Sequence, residues 1–270
     1  MRLKGISALI LWMSVVSEGA LAADNVLSET IKSTFTNLES LYQPVAKNLG
    51  KAFEVVTEDT SYIGAGAEFD GQVYRVRVSR GLLESEKLDP DTFRMILCHE
   101  VGHLFGGGPR KHLPPEWEGI VAHDGLSHMT SEGQSDYYAA VSCFRKLAKG
   151  TENPLRVMVP SYIQEKCERA WGTSFHAAES LGLCLRSAMA GLGFLQITFE
   201  FPIAFHTPDL SATSELIRDV YPARQCRLDT FVQGSLCTDD SPLLWDFDDS
   251  TKSNCQTNPE AQRPSCWYTE

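Results

Sequence analysis

The chain has 270 residues, 43% of them hydrophobic, and a net charge of -11. That length allows a proper hydrophobic core, and the acidic balance argues against nucleic acid as a partner. Its eight cysteines include no CxxC pair, which points away from a cysteine-based zinc site and toward disulfides in an exported chain.

Arg2 and Lys4, an apolar run from Ile6 to Val16 and the small residues ending at Ala22 form the three-part pattern of a cleavable secretory signal. The run is too short to span a bilayer, and no Cys follows Ala22 to take a lipid. The expected organisation is a signal over 1–22, a main domain over 23–238 and an acidic, cysteine-containing tail over 239–270 packed on it, in the periplasm or medium.

Apolar positions at helical spacing (Val26, Ile31, Phe35, Leu38, Leu41) predict a first helix over 25–46. A hairpin should follow, with Tyr62 and Ile63 in its first strand, the Asp70-Gly71 turn, and alternation at Tyr74, Val76 and Val78 in its second. Asp89-Pro90-Asp91 starts a helix that runs to Phe105, where Gly106-Gly107-Gly108-Pro109 stops it. A polar loop is expected over 109–130, then helices over 131–147, 155–170, 174–197 and 213–220, and a loop-like tail. No segment is apolar for long enough to cross a membrane. The fold class is therefore α+β: mainly helical, with a small antiparallel sheet beside the 89–105 helix and a disulfide-stapled C-terminal half.

His99-Glu100-Val101-Gly102-His103 lies inside that helix. Residues four apart share a face, so both imidazoles can reach one ion, while Glu100 sits about 100° round, beside the ion, where it can take a proton from a water. A catalytic zinc also needs a third ligand and an open position. Glu132 on the next helix is one choice. His112, His123 and His128 in the loop are others, whereas Pro109 stands where the metzincin spacing would need a ligand. Asp136, four residues after Glu132, can orient a ligand histidine through its second ring nitrogen. Cys143 continues the face of 132 and 136, and Cys98 adjoins His99, which suggests a Cys98–Cys143 disulfide. His176 and His206 read as surface or packed residues.

The segment Val76–Leu83 through His103, with Glu132-Gly133-Gln134-Ser135-Asp136 after it, resembles the HtpX-like and CAAX-prenyl-endopeptidase-like gluzincins over about a quarter of the chain. The resemblance implies a zincin-like fold, zinc on His99, His103 and Glu132, Glu100 as general base and Asp136 behind the ligands. Tyr221-Pro222 through Arg227 is similar to a further family element in which a His-Pro precedes an Arg near the metal. Tyr221 replaces that His, so the resemblance makes Tyr221 and Arg227 candidates for stabilising the oxyanion; ordinary packing and a salt bridge are their alternative.

Together these readings predict a zinc-dependent endopeptidase acting on peptide or protein. The alternatives are a catalytically silent, zinc-stapled envelope protein and a zinc hydrolase of small amides or esters. An extended substrate is expected beside the Tyr74–Ser79 strand, with the 109–130 loop and its Trp117 over the cleft.

Overall fold

The computed structural model describes residues 18–113, 125–151, 158–197 and 201–269. The signal pattern up to position 17, Trp117 and His123 lie outside the described residues. Helix α1 runs Glu18–Asn48, across the expected signal boundary, and strands β1 (Ala52–Glu58), β2 (Ala65–Phe69) and β3 (Val73–Ser79) follow. A short helix α2 (Arg80–Leu83) leads to the histidine-bearing helix α3 (Pro90–Phe105).

The sheet order is β1-β3-β2, with β1 parallel and β2 antiparallel to β3. The sheet is thus mixed, a correction to the antiparallel expectation. Val76 and Val78 point into the core, while Arg75 and Arg77 pair on the opposite face with Glu54, Glu58 and Glu68. The period of two was legible, but the strand before the turn was not: it begins at Ala65, and the Tyr62 carbonyl before it accepts from the Ser79 hydroxyl (2.5 Å) instead of a ladder amide. Since β3 is central, both its edges are taken, which rules out an extended substrate beside Tyr74–Ser79. The outer amides of β1 at Phe53 and Val55 donate to Gln43 and Glu39 of α1 (3.2 Å each), so β2 carries the remaining edge.

Helix α3 starts as its sequence dictates. Asp89 caps it by accepting from the amides of Asp91 (2.9 Å) and Thr92 (3.1 Å), with Pro90 in the first turn. Every residue from Asp91 to Phe105 is buried, so α3 is the central element and its polar groups need partners. Asp91 binds Arg186 through two hydrogen bonds (2.7 and 2.8 Å) and Arg94 through a third (2.8 Å).

The loop expected over 109–130 contains a two-stranded pair, β4 (Arg110–His112) and β5 (Leu126–Thr130). Helix α4 (Glu132–Tyr138) passes through a π-helical turn (Ala139–Cys143) into α5 (Phe144–Ala148); α6 (Ser161–Trp171), α7 (Ala178–Gln196) and α8 (Arg224–Ser235) complete the helices. The helix expected over 213–220 is absent. Thr213 closes a local side-chain turn with Glu215, and the amides of Thr213 and Ile217 donate to the carbonyls of Ser265 and Trp267, so those residues spend their backbone groups on the tail. No helix among the described residues is long and apolar enough to cross a membrane.

All eight cysteines pair: Cys98–Cys143, Cys167–Cys184, Cys226–Cys266 and Cys237–Cys255. The tail is built into the body. Trp267 is fully buried and donates to Thr230 (3.0 Å), Arg263 donates to Gln134 (3.1 Å), and the Trp245 amide caps the Phe105 carbonyl at the end of α3 (3.0 Å).

Candidate metal centre

Glycine lets α3 and α4 meet. A Cβ on Gly102 would stand 2.8 Å from the Ser135 carbonyl oxygen and 2.9 Å from its Cα, closer than side chains tolerate. That approach faces His99 and His103 toward Glu132, the first residue of α4, where a carboxylate also suits the positive end of a helix.

Three donor atoms converge there. Nε2 of His99 and Nε2 of His103 are 3.2 Å apart, and Oε2 of Glu132 lies 3.2 Å from the first and 3.4 Å from the second. Zinc bonds of about 2.0–2.1 Å in a tetrahedral arrangement set donors about 3.3 Å apart, so the triangle fits such an ion. All three residues are buried, and among the described residues Oε2 has no hydrogen-bond partner. Buried polar atoms are rarely left so, and a cation between the three donors would satisfy this one.

The other ring nitrogens are held from behind. Nδ1 of His103 lies 2.8 Å from the Thr130 carbonyl and 2.9 Å from Ser135 Oγ. Since a carbonyl only accepts, the ring proton sits on Nδ1 and the lone pair on Nε2 faces the triangle. Asp136 Oδ1 lies 2.8 Å from Nδ1 of His99, an ionic contact too angled for a good hydrogen bond. Burial opposes protonation of His99, but Asp136 above all outweighs it and pushes the imidazole up to about 9. Burial would raise Glu132, yet both histidines pull it well below the usual carboxylate range. Asp136 is likewise lowered against its burial, by Arg227 and His99.

Arg227 commits Nε and Nη2 to Asp136 (2.7 and 2.8 Å), so its fork serves the carboxylate behind His99. The guanidinium also meets the rings of Tyr221 (4.7 Å) and Phe194 (5.2 Å), and Phe194 stands 5.2 Å from the His99 ring. Tyr221 is 61% exposed, yet its phenol is pushed up to about 12, first by the desolvation around it and then by the charge of Glu132, with Glu100 adding to it. Glu100 is buried and its charge also reaches His99.

Two loop histidines lie away from the triangle. His112 pairs with Asp219 (2.7 Å) and His128 packs edge-on against Phe69. Spacing arguments missed Lys111, whose Nζ lies 2.6 Å from Glu132 Oε1, as well as the Thr130 carbonyl and Phe194. Ser135 stood within the Glu132–Asp136 segment, where its place on the helix face that meets α3 was a usable signal; a backbone carbonyl and a lysine beyond the glycine stop leave none. Comparison of the chain with protein-family models, with curated proteins and with solved structures returns no match.

Proposed function

We propose that this chain is an exported zinc-dependent endopeptidase with a zincin-like fold, similar in its site to the HtpX-like gluzincins. The observation that carries the reading is the buried triangle of His99, His103 and Glu132 at tetrahedral spacing, with a partnerless carboxylate oxygen in it. Zinc bound there would supply Lewis acidity toward a peptide carbonyl and lower the pKa of a water toward about 7. Glu100 takes the proton from the attacking water and delivers it to the amide nitrogen as the C–N bond breaks. The phenol of Tyr221, protonated at neutral pH, donates a hydrogen bond to the oxygen that gains charge. An extended substrate would add at the edge of β2 (Ala65–Phe69), with β3 already flanked on both sides.

A purely structural metal has little to do here, because the Cys98–Cys143 disulfide already ties α3 to the helix that follows Glu132. Four disulfides are compatible with an extracellular location. The test is metal content by mass spectrometry, paired with casein cleavage. Wild type should hold one zinc and cut, Glu132→Ala should lose the zinc, and Glu100→Gln should keep the zinc and lose cleavage. Full activity in Glu100→Gln, or a purified chain without stoichiometric metal, would refute the reading.

A further inference from the structure

The two oxygens of Glu132 live in different surroundings. Oε2 is buried, makes no hydrogen bond and faces both imidazoles, whereas Oε1 accepts from Lys111 Nζ at 2.6 Å. A carboxylate with both oxygens free can chelate an ion and fill two of its corners, which with two histidines uses up all four positions of a tetrahedral site. An ammonium on one oxygen prevents that. We propose that Lys111 is a positioning residue that restricts Glu132 to single-oxygen ligation and so keeps one coordination corner open; this rests on the metal-centre reading above.

The placement of Lys111 is itself fixed. On β4, its neighbour His112 is tied to Asp219 through both the backbone amide and the ring (2.7 Å each), and the Arg110 carbonyl accepts from Arg218 (3.0 Å). Arg110 of β4 pairs with Thr130 of β5, whose carbonyl holds His103. One β pair therefore orients two of the three donors, His103 by a backbone oxygen and Glu132 by an ammonium. A lysine suits this task because its ammonium is a compact point charge at the end of a long stem.

The experiment is cobalt substitution of the full-length protein, read in visible absorption, with folding followed by far-UV circular dichroism. Geometry at the ion sets those bands, so a role in folding alone leaves them unchanged. Lys111→Met should bind one cobalt but lose about half or more of the wild-type band intensity as Glu132 chelates, while Lys111→Arg, which keeps a charged donor on Oε1, should retain most of it. Should Lys111→Met fail to fold, Lys111→Gln is read in its place, with a smaller loss expected. A folded neutral variant whose spectrum superimposes on wild type overturns the role of Lys111 and leaves the metal centre standing. Wild type that takes up no cobalt overturns the metal centre, and the role of Lys111 with it.

Discussion

Arg227 grips Asp136 with two parallel hydrogen bonds of 2.7 and 2.8 Å. The pair is buried, and the same carboxylate lies against the far side of His99, so an ion pair between α4 and α8 backs the imidazole on α3 that we propose as a ligand. Arg227→Met leaves a buried carboxylate without its partner. It should cost about 3–5 kcal/mol in urea unfolding and weaken zinc about 10–100-fold in a chelator competition. Arg227→Lys should fall between, since it keeps the charge and loses the fork. A stable Arg227→Met with unaltered zinc affinity would contradict the arrangement.

Gly102 predicts a steric dependence. In Gly102→Ala the new methyl meets the backbone of Ser135, and backbone cannot rotate away. The two helices must part, at about 1–3 kcal/mol, and the triangle widens with them. Calorimetry of zinc binding should show a loss larger than that at any exposed alanine substitution on α1; equal affinities would show that the close approach is not needed.

The disulfide Cys98–Cys143 spans 45 residues and joins the histidine-bearing helix to the helix after Glu132. Chain entropy for a loop of that size corresponds to about 4 kcal/mol, and measured effects commonly fall near 2–4. The double variant Cys98→Ala, Cys143→Ala should lose stability in that range under non-reducing denaturation. No loss would mean that packing between the helices suffices.

Asp229 supplies a pH dependence away from the His99–His103–Glu132 triangle. Burial raises its carboxyl from the ordinary 3.8 to about 6, against the lowering effect of the Asp209 amide. Between about pH 4 and 6 the folded chain holds more of this proton than the unfolded chain does, so this group makes stability fall as pH rises through that window and level off above it. Asp229→Asn should remove this contribution, so its stability relative to wild type should climb from pH 4 to pH 6 in urea titrations. A constant difference across the series would refute the assignment.

What the residues disclosed beforehand follows from how local each signal is. Asp89-Pro90 and the glycine stop bound α3 because caps act within one turn. The spacing of His99, Glu100 and His103, and of Glu132 and Asp136, is a property of single helices, so the faces could be read directly. β1 carried no such mark, since its pairing with β3 is long-range and parallel. The helix misplaced to 213–220 failed for a related reason: its apolar residues are real, but their amides find the tail. Lys111 was invisible because what brings it to Glu132 is the pairing of β4 with β5, which no short pattern encodes.

The stop of α3 is completed by the Trp245 amide on Phe105 and the Asp246 carbonyl on Gly108, groups that lie far downstream of α3 in the sequence. The histidine helix therefore cannot acquire its finished exit before Trp245 and Asp246 have been synthesised. A fragment ending before Pro242 should be digested readily at the 106–109 turn, whereas the 270-residue chain resists. Such an order of assembly ties the completion of the histidine helix to the folding of a segment far downstream of it.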